Sequence, residues 1–218
     1  RLFTNTISVL TIGDSVNTGL VEMTATNNLI NGGTTVNSAT LVFGAASILE
    51  SANFNPITLT NGGTLLSTGT ATITNAITLG TGGGTIAAAS GQTLTANGVI
   101  SGSGALTVGS AGNTGIVALS GANTYTGSTT ISAGTLSISA ANNLSAAAVT
   151  INGGTLVSTG TATITNNISI GAGGGTIAAA SGQTLTASGI ISGANALTVG
   201  SAGNTGIVAL SGANTYTG

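Results

Sequence analysis

Cysteine, histidine and lysine are absent from this sequence of 218 residues, and its only charged residues are one arginine and three acids. The absence of cysteine excludes disulfides and thiol chemistry. Without histidine, cysteine or lysine, the chain also lacks the usual nucleophile–base pairs and the usual metal-binding clusters. We therefore predict that the chain is not an enzyme and has no catalytic residue, no cofactor and no metal ligand.

The scarcity of charge also limits the partners of the chain. A formal net charge of −2 with no basic cluster cannot neutralise a phosphate backbone, which excludes nucleic acid as a partner. No apolar run approaches the roughly 18 residues that a membrane-spanning helix needs. The first residues lack the charged flank and apolar core of a signal peptide, so we expect any targeting segment to lie outside this sequence.

The three acids are Asp14, Glu22 and Glu50. Enzymes that cleave polysaccharides are the catalytic class to consider, and a glycosidase needs two carboxylates that face each other across a groove. Glu22 lies between Val21 and Met23, which we predict to point inward, so its side chain is predicted to point to water. We interpret all three acids as surface residues and expect no small-molecule substrate.

What the sequence does contain is an internal repeat. Residues 61–127 match residues 152–218 at a constant shift of 91 positions, with 58 identities in 67 pairs. An eroded copy precedes them: residues 10–13 match residues 106–109 at a shift of 96. We therefore predict one solenoid segment over residues 1–218, composed of a degenerate copy (1–60), one unit (61–151) and a partial unit (152–218). The chain begins and ends within a unit, and we expect it to be a piece of a longer array.

Within a unit, short segments alternate apolar residues with threonine or serine. Reading from Ser128 there are ten of them: TTIS, GTLSIS, AVTI, GTLVS, ATITNNISI, GGTIAA, QTLTA, GIIS, ALTVG and GIVALS. Leu136 and Ile138 are predicted to share the inner face of a strand, with Thr135 on the other face. In ATITNNISI, the four apolar residues at 162, 164, 168 and 170 are predicted to share one face. No segment has the spacing of an amphipathic helix, so the protein is predicted to be all-β.

Short strands in long tandem units favour a right-handed parallel β-helix, that is, a β-solenoid. We expect coils of roughly 20–23 residues with about three short strands each, so that one unit makes about four coils. Leucine, isoleucine and valine would fill the narrow core, glycine and asparagine would form the corners, and threonine and serine would face outward.

The segment SGANTYTGSTTISAGTLSIS (residues 120–139) resembles the autotransporter-associated β-strand repeat, which occurs in passenger domains of bacterial type V secreted proteins. The resemblance implies a β-helical stalk at the bacterial cell surface or outside the cell, whose partner is its own C-terminal outer-membrane β-barrel outside this sequence. We expect Tyr125 and Tyr216 to serve at a corner or in the core more than in adhesion. The residues that carry the resemblance are Gly121, Ala122, Asn123, Thr124, Tyr125, Thr126, Gly127, Gly134, Leu136, Asn214, Tyr216 and Gly218.

From these features we expect a non-enzymatic structural stalk of a surface-displayed passenger or adhesin, which extends and presents contacts for adhesion to host cells or for self-association. A self-assembling extracellular fibre is the alternative. A third class is an ice-binding solenoid, because rows such as Thr70-Ala71-Thr72 resemble ice-binding surfaces. That function requires the same threonine pair in consecutive coils, and the sequence shows the pair clearly only once per unit.

Overall fold

The computed structural model describes residues 9–14, 16–23, 32–44 and 55–218. These residues form 24 short strands: β1 (Val9–Ile12), β2 (Leu20–Met23), β3 (Gly33–Asn37), β4 (Thr40–Phe43), β5 (Ile57–Thr60), β6 (Gly63–Ser67), β7 (Ala71–Ile73), β8 (Ile77–Leu79), β9 (Gly84–Ala88), β10 (Thr93–Ala96), β11 (Ile100–Gly102), β12 (Leu106–Val108), β13 (Ile116–Leu119), β14 (Thr129–Ile131), β15 (Thr135–Ile138), β16 (Val149–Ile151), β17 (Thr155–Ser158), β18 (Ala162–Ile164), β19 (Ile168–Ile170), β20 (Gly175–Ala179), β21 (Thr184–Ala187), β22 (Ile191–Ser192), β23 (Leu197–Val199) and β24 (Ile207–Leu210). In the described ranges the helical element is one short 3-10 helix, Ala141–Asn143.

The strands form four parallel sheets in which each strand pairs with a strand one coil away. The first sheet has the order β1-β3-β5-β8-β11, and the second has the order β2-β4-β6-β9-β12-β14-β16-β19-β22. The third runs from β7 through β10, β13, β15, β17 and β20 to β23, and the fourth contains β18, β21 and β24. The protein is therefore an all-β parallel β-solenoid, as its sequence predicts.

The four sheets make up three faces. The second and third faces are the second and third sheets. The first face consists of the first sheet, two segments without strands (residues 120–127 and 139–147) and then the fourth sheet. The fourth sheet belongs to this face because β18 follows β17 of the third face and precedes β19 of the second, as β8 lies between β7 and β9.

Coil lengths vary more than the sequence predicted. Val149 pairs with Ile168, 19 residues further on, whereas Val9 pairs with Gly33, 24 residues further on. The observed coil lengths thus extend the expected range of roughly 20–23 residues by one residue at each end. The difference arises at the corners, because the register of the strands fixes the walls and leaves the turns between them free to differ in length.

The unit contains slightly more than four coils, in agreement with the expected number of about four. From β9 to β19 there are eleven strands, and the two strand-free segments of the first face make thirteen wall segments. Thirteen segments on three faces make four and one third coils. The next strand, β20, is the counterpart of β9 in the following unit, but β9 belongs to the second face and β20 to the third.

The core is a set of columns in which apolar side chains stack in register from coil to coil. One column of the second face contains Leu41, Leu65, Ile86, Val108, Ile131, Ile151 and Ile170, all at most 2% exposed. Each such side chain contributes about 1.5–3 kcal/mol through burial. Because three walls enclose the interior, one medium-sized side chain per wall position fills it, and Phe43 and Tyr125 are the aromatic residues of the described core.

One expectation about a strand is wrong. ATITNNISI is two strands, β18 on the first face and β19 on the second, and its four apolar residues point into the core from two walls instead of sharing a face. A corner separates them at residues 165–167. Asn166 is buried there, and its Nδ2 donates to the carbonyl oxygens of Ser145 and Ala147, each at 2.6 Å. These bonds satisfy backbone groups that no strand pairs, and so stabilise the turn.

Candidate functional site

The segment Gly121–Gly127 forms the first face of its coil without being a strand. The Thr124 amide donates to the Ile100 carbonyl oxygen at 2.8 Å, and the Thr126 amide donates to that of Gly102 at 2.9 Å. Toward the next coil, the Asn123 amide donates to the Asn142 carbonyl oxygen at 2.9 Å. The motif therefore keeps hydrogen bonds to the coils on both sides where the regular sheet is interrupted.

Asn123 supplies side-chain bonds in place of part of the missing ladder. Its Oδ1 accepts a hydrogen bond from the Ile100 amide at 2.8 Å, and its Nδ2 donates to the Asn143 carbonyl oxygen at 2.7 Å. In the next unit, Asn214 Oδ1 accepts from the Ile191 amide, also at 2.8 Å. The two asparagines of the motif thus make the same bond, 91 residues apart.

Tyr125 lies in the core and is 2% exposed. Its hydroxyl is 2.7 Å from Thr129 Oγ1. Thr129 occupies an inward column between Leu106 and Val149, so its hydroxyl would be surrounded by apolar side chains without this bond. Tyr216, its counterpart, is 37% exposed in the last coil.

Tyr125→Phe is expected to lower the free energy of unfolding by about 1–2 kcal/mol, because it leaves the buried Thr129 hydroxyl without its partner. The matched control is Tyr216→Phe, which changes the same motif position at a partly exposed site and is expected to cost less than about 0.5 kcal/mol. Urea unfolding of both variants measures the difference. Equal effects of the two substitutions would contradict the assigned role of the bond.

The other motif residues divide between backbone and surface positions. A Cβ at Gly121 would meet the Gly98 carbonyl, and one at Gly127 would meet the Gly104 carbonyl, so both positions require close approach of two coils. Gly134 has φ +64°, a conformation that favours glycine. Leu136 is fully buried. The remaining positions lie on the surface or in the last coil: Ala122, Thr124 and Thr126 are exposed, and Gly218 ends the chain in an exposed position.

Asn143 is a key residue that the sequence interpretation missed. It is 2% exposed, its Oδ1 accepts hydrogen bonds from the Ser139 and Ala140 amides at 2.9 Å each, and its Nδ2 donates to the Gly121 carbonyl oxygen at 3.0 Å. It therefore fixes the second strand-free segment to the first. The sequence feature that could have identified it is the Asn142-Asn143 pair, which lies in a stretch without alternation of apolar and polar residues.

The outer surface of the second face has one hydroxyl residue per coil over eight coils. The row lies in strict register and contains Thr40, Thr64, Thr85, Thr107, Thr130, Thr150, Ser169 and Ser192. Part of it lines a groove of about 470 Å³ beside the turn 110–113, where Asn113 Nδ2 donates to Ser110 Oγ at 2.9 Å. The sequence interpretation missed this row because unequal coil lengths hide it.

A second groove, of about 420 Å³, lies on the third face beside the turn 201–204. Asn204 Nδ2 donates to Ser201 Oγ at 2.9 Å, as in the first turn. The residues that line it include Ile116, Thr135, Thr155, Val157, Ser201 and Asn204. The described residues that line the two grooves are all uncharged, so they offer hydroxyl and amide hydrogen bonds but no group for proton transfer.

The threonine pair considered for ice binding occupies two consecutive coils. Thr72 is in register with Thr95, and the Thr93 amide donates to Thr70 Oγ1 at 3.4 Å. In the next coil Ile116 and Ala118 occupy the corresponding positions. Thr70 Oγ1 also donates to Gln92 Oε1 at 3.1 Å, so this hydroxyl is already engaged within the protein. A doubled threonine row thus ends after two coils.

The structure describes two of the three acidic residues, Asp14 and Glu22, and both are exposed. Glu22 is exposed, as predicted, although Val21 is 42% exposed because β2 is the outermost strand of its sheet. Asp14 closes an exposed turn, and Glu50 lies outside the described residues. Over the described ranges, no three histidine, cysteine or acidic residues cluster as a metal site would need.

The pKa of Asp14 is lowered from its ordinary value of 3.8. Its Oδ1 accepts hydrogen bonds from the Asn17 amide at 2.7 Å and the Val16 amide at 2.8 Å, and its Oδ2 accepts one from Asn17 Nδ2 at 2.8 Å. The Asn17 amide is the largest cause, followed by the Asn17 side chain and the Val16 amide, and slight desolvation opposes them.

We expect a carboxyl titration of the folded protein by NMR to give Asp14 a pKa below 3.8. Because the folded-state pKa is the lower one, the turn gains its stabilisation above the unfolded-state pKa and loses it as the pH falls through the folded-state value. Replacing Asn17 by glycine keeps the amide but removes Nδ2, and should raise the pKa part of the way. An Asp14 pKa at or above 3.8 in the unaltered protein would contradict the hydrogen-bonded turn.

Two stretches match the family model described as passenger-associated-transport-repeat, residues 112–138 and 203–218. They begin 91 residues apart, at equivalent positions of the repeat, and they contain the strand-free motif described above. No curated protein and no solved structure matches the chain significantly. A search of the described residues for a helix long and apolar enough to cross a membrane found none.

The family match and the fold agree with each other. Both matched stretches lie in the solenoid, and the first supplies Asn123, whose side chain joins coils across the interrupted face. The family implies a translocator barrel as C-terminal partner and display at the surface or outside the cell. The chain is thus a β-solenoid that fits an autotransporter passenger with passenger-associated-transport repeats.

Proposed function

We propose that this chain is the stalk of a surface-displayed passenger, which extends from the cell and presents contacts without catalysing a reaction. The observation that carries the proposal is the use of the repeat-motif side chains. The Asn123 side chain joins its coil to the coils on both sides, and the Tyr125 hydroxyl bonds Thr129 in the core. The exposed motif residues Ala122, Thr124 and Thr126 are small and uncharged. The motif therefore serves to join coils, which is what a stalk requires.

The division of the chain supports the same proposal. We propose a single solenoid segment over residues 1–218, with a degenerate copy (1–60), a unit (61–151) and a partial unit (152–218). In a solenoid each coil contacts only its neighbours, so further units lengthen the rod without changing the fold. The contacts presented to host cells or to other copies would be the uncharged outer rows of hydroxyl and amide groups.

The absence of native cysteine in this chain allows a direct test of surface display. In the full-length protein in its own host, Ala111→Cys places a thiol on an exposed turn, and Ile131→Cys places one in the core, where Ile131 is fully buried. A membrane-impermeant maleimide applied to intact cells is expected to label Ala111→Cys and not Ile131→Cys.

The outcomes distinguish location from folding. Labelling of Ala111→Cys only after cell lysis would contradict surface display. Labelling of both variants on intact cells would place the segment outside the cell but show that it is not a folded solenoid there. Removal of residues 61–151 also removes Ala111, so the shortened protein carries its thiol at the equivalent exposed position, as Ala202→Cys. A stalk predicts that this thiol is still labelled on intact cells.

A further inference from the structure

Equivalent residues of successive units lie on different faces of the solenoid. Leu10, Leu106 and Leu197 are the same repeat position, and they belong to β1 on the first face, β12 on the second and β23 on the third. Eight consecutive strands, β6 to β13, have their counterparts 91 residues later in β17 to β24, and every counterpart lies one face further on. The change of face is therefore a property of the whole unit.

Local structure is preserved despite this change of face. Ser67 Oγ donates to the Gly69 carbonyl oxygen at 2.5 Å on the second face, and Ser158 Oγ makes the same bond to Gly160 at 2.5 Å on the third. The turns 110–113 and 201–204 have the same internal bridge. Each unit thus folds in the same way and is placed one third of a turn around the axis from the unit before it.

The cause is the number of wall segments. Thirteen segments leave a remainder of one when they are divided among three faces, so one unit advances four complete coils and one face. At about 4.8 Å per coil, a unit rises about 21 Å, and three units, or thirteen coils, rise about 62 Å before an equivalent residue returns to the same face.

The two grooves are equivalent surfaces of two successive repeat units. The lining residues Thr64, Ser110 and Asn113 of the first correspond to Thr155, Ser201 and Asn204 of the second, 91 residues further on. The first groove opens on the second face, and the second opens on the third. Both are uncharged, and both combine threonine hydroxyls with the edge of a Ser-Ala-Gly-Asn turn.

We propose that an array of these units is a screw that presents this groove on each of its three faces in turn. A partner lying along one face would therefore meet the same groove only about every 62 Å, whereas grooves of neighbouring units open in different directions. That partners bind in the groove rests on the proposed stalk function. The screw itself is a property of the fold and does not depend on that function.

Distances between pairs of nitroxide labels on the cysteine-free chain test the screw without any binding or display. Thr107→Cys with Thr198→Cys labels equivalent positions of two units, on the second and third faces. Thr107→Cys with Ser192→Cys is the matched control, since these residues lie in one row on one face, four coils apart. The control pair is expected to be separated by about 19 Å between Cα atoms.

The distance between labels at 107 and 198 is expected to exceed that of the control pair clearly, because it also crosses from one face to another. If units kept their face, the order would be reversed or the two distances would be equal, and the screw would be refuted. Far-UV circular dichroism checks that each double variant is folded; should one of them fail to fold, Ala111→Cys with Ala202→Cys supplies the pair of equivalent positions. Failure of surface display with these distances intact would refute the stalk and leave the screw.

Discussion

Leu136→Asp is expected to disrupt the coils on both sides of the substitution and to lower the free energy of unfolding by about 4–5 kcal/mol or more. Leu136 is fully buried and stacks in register between Val117 and Leu156. A carboxylate there loses its hydration without gaining a charge partner. Because coils stabilise one another through such columns, loss of one residue also exposes the walls above and below it.

The control is Thr135→Asp, one residue away in the same strand. Thr135 points outward and is half-buried, so the carboxylate stays in contact with water, and we expect a change within about 1 kcal/mol. Hydrogen exchange with mass spectrometry locates the effect: protection should fall in β13, β15 and β17 of the Leu136 variant only. Equal exchange and equal melting of the two variants would contradict the inward and outward assignment.

Asn143→Ala is expected to lower the free energy of unfolding by about 2–4 kcal/mol, because it leaves several buried backbone groups without partners. The amide side chain accepts from the Ser139 and Ala140 amides and donates to the Gly121 carbonyl oxygen. Alanine cannot replace any of these bonds, and the site lies inside the interrupted first face, where the 3-10 helix offers no alternative ladder.

Asn142→Ala is the matched control, since Asn142 is the adjacent, exposed asparagine and contributes its backbone carbonyl oxygen to Asn123. That bond survives the substitution, and the expected cost is below about 0.5 kcal/mol. Urea unfolding compares the two variants. If the Asn142 substitution cost as much as the Asn143 substitution, the stability of this segment would come from its exposed surface and not from the buried amide.

Much of the fold follows from local pattern. Alternation in segments such as TLSI places Leu136 and Ile138 in the core, and the structure confirms both. Alternation alone does not say where a strand ends at a corner, which is why the pattern of ATITNNISI wrongly predicts a single strand. Its Thr-Asn-Asn corner keeps the even spacing of apolar residues, so that the period of two continues across a change of wall.

The number of wall segments in a unit decides on which face each of its residues lies. The sequence alone does not give this number. Residues 139–147 and 120–127 occupy places on the first face without the alternation of a strand. A count of strands alone omits them and gives eleven segments, or three and two thirds coils, for one unit. The outward row from Thr40 to Ser192 was hidden for a related reason, since its spacing varies from 19 to 24 residues.

The repeat motif is recognisable from the sequence, but the structural role of each of its residues is not. Asn123 and Tyr125 stood out as part of the family pattern, and the structure places their side chains in hydrogen bonds within and between coils. Their partners, Thr129 and Asn143, lie in other segments and carry no mark of burial in the sequence. Polar residues in a core are found only when the column to which they belong is known.

The most direct test of the account is to duplicate residues 61–151 within the chain and to measure its shape by small-angle X-ray scattering. The duplication creates one new junction, from Ile151 to a second Asn61, and it preserves the native local sequence because Asn61 and Asn152 begin the same Asn-Gly-Gly turn. A solenoid stalk predicts that the rod lengthens by about 21 Å, with an unchanged cross-section and an unchanged circular dichroism signal per residue. Growth in the cross-section, or loss of the β signal, would contradict it.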